Sequence, residues 1–123
     1  MAVLAQLVDD VVVNRFELKG AELTLGRHPS NKVQIDEEAV SGRHAKIVVE
    51  TNKDFKSFQE FYLEDLGSTN GTYVSDRKIN GRVRLHHNDI VRLAWNKFKF
   101  IDDMEAKAEK TALMIGTNTD KFN

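Results

Sequence analysis

Cysteine is absent from the 123 residues, and proline occurs once, at Pro29. Without thiols there can be no disulfide, no thiolate nucleophile and no cysteine-ligated zinc. No apolar run approaches the ~18 residues that cross a bilayer as a helix. The first ten residues, Met1-Ala-Val-Leu-Ala-Gln-Leu-Val-Asp-Asp10, contain no Lys or Arg, and Gln6 interrupts their apolar stretch. They do not read as a secretory leader. A surplus of one charge is missing as well: 18 Lys+Arg stand against 19 Asp+Glu, a net charge of −1. Duplex nucleic-acid binders usually carry a clear basic excess or stripe. The absences set four expectations: a cytoplasmic chain, no membrane, no nucleic-acid partner and no metal.

The length suits one domain, and 41% hydrophobic with 30% charged residues is an ordinary globular composition. The charge balance hides a local asymmetry. Residues 102–123 carry a net −2 and the rest +1, and between residues 67 and 87 Arg77, Lys78, Arg82 and Arg84 face only Asp76. A ligand near this stretch is expected to be negative.

Short strands dominate the pattern. Leu4 to Val8 and Val11 to Leu18 read as strands, and apolar and polar residues alternate over Glu22 to Leu25 and Lys32 to Ile35. Longer β-branched or aromatic stretches run from His44 to Glu50, Phe58 to Asp65, Asp89 to Trp95 and Lys97 to Ile101. Such alternation puts one set of side chains in a core and the other in water. Asp9-Asp10 reads as a tight connection. Asn70-Gly71 and Asn80-Gly81 supply the residues that accept positive φ, and Asn80-Gly81 is expected to close a hairpin between residues 77–79 and 82–85. Many short strands with no long helix argue for an all-β sandwich. In the tail, Asp102-Asp103 is expected to cap a short helix over residues 104–110, with Asp103 and Lys107 paired at i, i+4. Residues 117–123 read as disordered.

Two stretches carry chemistry. Leu63-Glu64-Asp65-Leu66-Gly67-Ser68-Thr69-Asn70-Gly71-Thr72-Tyr73-Val74 runs from a strand through small hydroxyl and amide residues into another strand. That suits recognition of an oxyanion or a peptide backbone, although on composition alone it is an ordinary loop. The second begins at Leu25-Gly26-Arg27-His28-Pro29-Ser30-Asn31 and resumes at Ala39-Val40-Ser41-Gly42-Arg43-His44-Ala45. Arg27 follows a strand at a glycine, where a guanidinium can project from the rim as a phosphate fork. Ser41 can add one donor.

Taken in order, Gly26-Arg27, Ser41-Gly42-Arg43-His44-Ala45 and the segment from Leu63 to Val74 resemble the signature of the forkhead-associated (FHA) domain. Ile79-Asn80-Gly81 and Leu85…Asn88-Asp89-Ile90-Val91 fit the same pattern, and the resemblance covers roughly residues 3–101. It implies an eleven-stranded β-sandwich, here residues 1–101, that binds phosphothreonine peptides with loops at one end, followed by a tail over residues 102–123. By motif position, Arg27 and Ser41 would contact the phosphate, Thr69 would line the same pocket, and Asn70 would hydrogen-bond the peptide main chain. Gly42 would offer only its N–H, with Arg43 as a secondary contact. Gly26, His44, Gly67 and Gly71 would support the loops. Ala39 brings no charge that could select a distal peptide residue. The implied role is a signalling adaptor, not an enzyme, with no cofactor. Its implied partner is a Thr-phosphorylated protein, a substrate of a Ser/Thr kinase.

Other readings are weaker. Ser41, His44 and Asp65 invite a catalytic triad, but no Gly-x-Ser-x-Gly elbow is present, and no nucleotide-binding Gly-x-x-x-x-Gly-Lys motif occurs. His86-His87, on a strand, would point to opposite faces and share no metal. A phosphate-independent protein contact is the nearest alternative, and nucleic-acid binding through Arg77, Lys78, Arg82 and Arg84 a more distant one. The tail suggests a self-interaction in which phosphorylated Thr111, Thr117 or Thr119 occupies the chain's own site or a neighbour's.

Overall fold

The computed structural model describes residues 1–51, 53–54 and 58–108. Eleven strands follow in order: β1 (Ala2–Val8), β2 (Val11–Glu17), β3 (Glu22–Gly26), β4 (Val33–Gln34), β5 (Ala45–Thr51), β6 (Gln59–Asp65), β7 (Thr72–Val74), β8 (Arg77–Lys78), β9 (Arg82–Leu85), β10 (Ile90–Leu93) and β11 (Asn96–Asp102). They form a six-stranded sheet, β2-β1-β11-β10-β7-β8, and a five-stranded sheet, β4-β3-β5-β6-β9. The expected all-β sandwich is the observed fold. Every adjacent pair in it is antiparallel except β3 and β4.

Alternation builds the core. Leu25, Ile47, Leu63 and Leu85 from one sheet meet Leu4, Val91, Leu93, Phe98 and Phe100 from the other, all with almost no exposure. The Phe61 and Phe100 rings lie 5.2 Å apart, tilted by 56°, in the range that favours aromatic pairs. Each such side chain contributes about 1.5–3 kcal/mol through burial. This stack holds the strand ends, and the loops between them, at fixed separation.

Turn chemistry divides into what local residues fix and what they leave open. Asp9 and Asp10 both take positive φ (52° and 64°), the two-residue turn expected between β1 and β2. Ser75 and Asp76 do the same (49° and 67°) and fold β8 back on β7. The expected hairpin across Asn80-Gly81 does not form. β8 pairs with β7 in one sheet and β9 with β6 in the other, so this turn carries the chain from sheet to sheet. Ile79 explains the crossing: its side chain is buried in the core and its N–H donates to Thr72 O at 2.9 Å. The basic quartet is divided by the same crossing, Arg77 and Lys78 falling on one sheet and Arg82 and Arg84 on the other. Arg82 pairs with Glu50 and Glu64 and lies over the Tyr62 ring at 4.1 Å.

The expected cap at the start of the tail is present, and the helix begins one residue earlier than expected. β11 runs through Asp102, and Asp102 Oδ1 caps a short helix over residues 103–108, accepting from Met104 N–H at 3.1 Å and Glu105 N–H at 3.4 Å. Glu105 binds His86 Nδ1 at 2.9 Å and accepts from the His87 N–H, so the helix is tied to the sandwich. His86 and His87 lie beyond the end of β9 rather than within a strand, which removes the opposite-faces argument. His87 Nδ1 instead accepts from the Asp102 N–H at 3.0 Å. The tail threonines Thr111, Thr117 and Thr119 lie outside the described residues. Among the described residues, no helix is long and apolar enough to cross a membrane.

Candidate functional site

Three loops converge at one rim of the sandwich, and Ser41 joins them. Its carbonyl accepts from the Arg27 N–H at 3.0 Å, its N–H donates to His44 Nδ1 at 3.0 Å, and its Oγ accepts from the Thr69 N–H at 3.0 Å. Because Oγ is an acceptor toward Thr69, its own hydrogen is left to donate outward. The structure thus brings Arg27, Ser41 and Thr69 together from segments far apart in the chain.

Gly26 is required by close approach. A Cβ there would fall 2.3 Å from the Gly42 carbonyl oxygen and 2.7 Å from Asn31 Nδ2. The His28 N–H donates to that same Gly42 carbonyl at 3.1 Å, and so does Asn31 Nδ2 at 2.7 Å. Asn31 is buried and also donates to His28 O at 2.8 Å, which fixes the turn that presents Arg27. Arg27 itself is exposed, and among the described residues its guanidinium has no hydrogen bond or ion pair.

His44 is fully buried behind the rim. Nδ1 accepts from the Ser41 N–H, so Nε2 carries the ring hydrogen and donates to Gly71 O at 2.8 Å. Both ring nitrogens are therefore committed to backbone, and no triad forms. Asp65 is engaged elsewhere. Its Oδ2 accepts from the Gly67 and Ser68 N–H groups, both at 3.0 Å, and its Oδ1 from Ser68 Oγ at 2.5 Å and Thr72 Oγ1 at 2.7 Å. Ser68 Oγ in turn accepts from the Gly71 N–H at 2.9 Å. With Gly67 and Gly71 at φ 81° and 83°, this network shapes the loop that carries Thr69 and Asn70.

Burial raises the Asp65 pKa, but hydrogen bonds from the Ser68 and Thr72 hydroxyls and the Ser68 and Gly67 N–H groups outweigh it. The carboxyl is held below the ordinary aspartate value. A lowered folded value means that Asp65 contributes its full stability above the ordinary aspartate range. That contribution is lost as pH falls through the lowered value. Asp65→Asn sets an amide donor against hydrogen-bond donors and is expected to destabilise by about 1–3 kcal/mol at neutral pH. Urea unfolding at neutral and acidic pH checks both parts, since the variant's stability should fall less steeply on the acid side.

Asn70 is exposed and its Nδ2 donates to Ala39 O at 2.8 Å, which leaves its amide oxygen and second N–H outward. Gly42 borders the same region, and a Cβ there would meet nothing within 4 Å. Arg43 is exposed just ahead of β5. Sequence reasoning missed the neighbours of Asn70. A recess beside it is lined by Ala39, Asn70, Tyr73, Arg92, Ala94 and Trp95. The Arg92 guanidinium lies 4.1 Å above the Tyr73 ring and donates to Ala94 O at 2.9 Å. Trp95 is 79% exposed. It lies in the turn between β10 and β11 rather than in a strand, with Ala94 at φ 54°. An apolar pair between two alternating segments was the available signal, obscured because neither residue is a usual turn former.

Among the described residues the arrangement offers the unpaired Arg27 guanidinium, a hydroxyl donor, an exposed threonine and an exposed amide on a braced β support. Comparison with known proteins gives the family. The family profile described as FHA domain matches residues 23–94. The glycogen accumulation regulator GarA of Mycobacterium tuberculosis is 36% identical over 88 residues, covering 72% of this chain and 48% of that protein. The chain therefore spans about half the length of the curated relatives it matches. Among solved structures, the FHA domain of CT664 from Chlamydia trachomatis superposes with a TM-score of 0.71 at 27% identity, covering 82% of this chain and 96% of that one. Mycobacterium tuberculosis EmbR, solved in complex with a low-affinity phosphopeptide, gives 0.68 at 27% identity and covers 81% and 24%. Two sheets in this order, three loops joined through Ser41 and a profile match across most of the sandwich make the chain a member of the FHA-domain family.

Proposed function

We propose that the rim binds phosphothreonine in a partner protein and that the chain acts as a signalling adaptor, in the cytoplasm and without catalysis. The observation that carries this reading is Ser41, whose three polar groups draw the loops of Arg27, His44 and Thr69 around one small site. In this reading the Arg27 guanidinium takes two phosphate oxygens as a charge-assisted fork, and Ser41 Oγ and Thr69 donate to the phosphate. Asn70 reads the peptide main chain with its outward amide. The Gly42 N–H and Arg43 contribute at the margin, while Gly26, His44, Gly67 and Gly71 hold the loops. The binding unit in this reading extends through residue 108, because Glu105 ties the helix to the sandwich.

A phosphothreonine brings about −1.5 to −2 charges and three strong acceptors, which suits one cation with a few hydroxyl and amide donors. The test is an oriented phosphothreonine peptide library against the full chain, with its dephosphorylated form as control. Binding of the phosphorylated library alone is the expected result, and equal binding of both would refute the reading. Affinity should also fall as pH drops through the phosphate's second pKa of about 6, because the ligand loses charge. Fluorescence anisotropy of one labelled phosphopeptide across that range measures it.

A further inference from the structure

Trp95 is the most exposed of the large apolar side chains among the described residues. An indole is costly to leave in water, and Trp is enriched where proteins meet their partners. It stands between two recesses. One is the recess it shares with Asn70 and Tyr73. The other lies against the β1–β2 turn, where Val8, Asp9 and Asp10 meet Trp95, Asn96 and Lys97. β1 and β11 are antiparallel neighbours with Leu7 opposite Lys97, which brings the β1–β2 and β10–β11 turns to one end of the sandwich. Asn70 is at that same end, so the second recess continues from the rim.

We propose that the second recess takes an arginine or lysine of the phosphorylated partner, its cation lying on the Trp95 indole among acidic side chains. This rests on the phosphothreonine reading of the rim and adds a second anchor to it. Asp9 and Asp10 are exposed, and among the described residues neither has an ion pair. A third acid reaches the region through Asn96, whose Nδ2 donates to Glu37 Oε2 at 2.6 Å. Asp36 and Glu38, both exposed, flank Glu37 in the chain. The neighbouring bases do not cancel these acids. Arg92 is committed to the Tyr73 ring and to Ala94 O, and Lys97 offsets one carboxylate.

The surface chooses its occupant by charge. An apolar side chain would gain from Trp95 and Val8 but nothing from the carboxylates, and an acidic one would be repelled. A cation gains from both, because Trp offers the best ring face for cation–π contact and the acids add Coulomb attraction. The rim is therefore polarised, with the unpaired Arg27 guanidinium for the phosphate and acids around Trp95. An extended chain advances ~3.3 Å per residue. With its main chain held by Asn70, the partner passes Trp95 in a set register, so the basic residue is selected at a fixed distance from the phosphothreonine.

Anisotropy titrations of the full chain with phosphothreonine peptides test the proposal. In an alanine-rich background, a single arginine is moved through each position on both sides of the phosphothreonine. At one position or two neighbouring ones it is expected to raise affinity about two- to thirtyfold over alanine, with lysine also favoured, leucine weaker and glutamate unfavourable. Trp95→Leu keeps an apolar surface without the π face. Asp9→Asn with Asp10→Asn removes two charges and keeps residues that tolerate positive φ. Both variants should bring the arginine-to-alanine affinity ratio toward one, and the Asn pair should bind the alanine peptide like wild type. Circular dichroism confirms that they fold, as expected for exposed positions. A wild-type ratio near one throughout, an equal gain at every position, leucine matching arginine, or variants that keep the wild-type ratio would each overturn the proposal and leave phosphothreonine binding standing. If no phosphopeptide binds, the alanine peptide included, the reading of the rim falls and this proposal with it.

Discussion

Arg27→Ala is expected to abolish measurable binding of a phosphothreonine peptide while leaving thermal unfolding nearly unchanged. Truncating one side of a desolvated, hydrogen-bonded charge pair costs about 2–5 kcal/mol, roughly 30- to 5,000-fold in affinity. In the unliganded fold that same side chain is exposed and unpaired among the described residues, so its loss belongs with surface substitutions worth within about 0.5 kcal/mol. The backbone at residue 27 keeps its bond to Ser41 O whatever the side chain. Isothermal titration with one phosphopeptide beside a thermal melt of the same protein separates the two quantities. Retained binding would sink the assignment of the phosphate site. A large loss of stability would instead make Arg27 a structural residue.

His44→Ala is expected to reduce both quantities. The ring is fully buried and joins the Ser41 N–H to the Gly71 carbonyl. Its removal leaves a buried donor and a buried acceptor unpaired and opens a cavity, at a combined cost of about 2–5 kcal/mol. Ser41 and the Thr69–Asn70 loop lose the tie between them, so phosphopeptide affinity should drop even at temperatures where the variant is folded. Chemical denaturation gives the first loss and anisotropy, run well below the variant's midpoint, gives the second. A midpoint equal to wild type would remove His44 from its bracing role.

The two substitutions differ because one side chain faces water and the other is surrounded by the fold, and that difference is hard to see in the sequence. Arg27 follows a predicted strand and His44 begins one, and both belong to short motifs of mixed polarity. Alternation reported which side of a strand is apolar, and it did so well for β3, β6 and β11, where the pattern is regular over several residues. It could not report on loop residues. Asn31 and Asp65 do as much to shape the rim as any glycine in it, yet neither has a local pattern that announces the partners it meets.

The sequence alone determined that the chain forms short strands with an apolar face and closes tight turns at Asp9-Asp10. It also determined that the chain carries Gly26-Arg27, Ser41 and Thr69-Asn70 in an order that resembles one family. These are local properties, set by side-chain period and by which residues tolerate positive φ. Only the tertiary structure decided that Asn80-Gly81 crosses between sheets instead of closing a hairpin, that the four basic residues around it divide between two sheets, and that β2 is an edge strand. The physical reason is the same in each case. A turn fixes a change of direction, but the strand on the other side is chosen by which apolar side chain must reach the core. For residue 79 that is an isoleucine whose burial draws the chain across the sandwich.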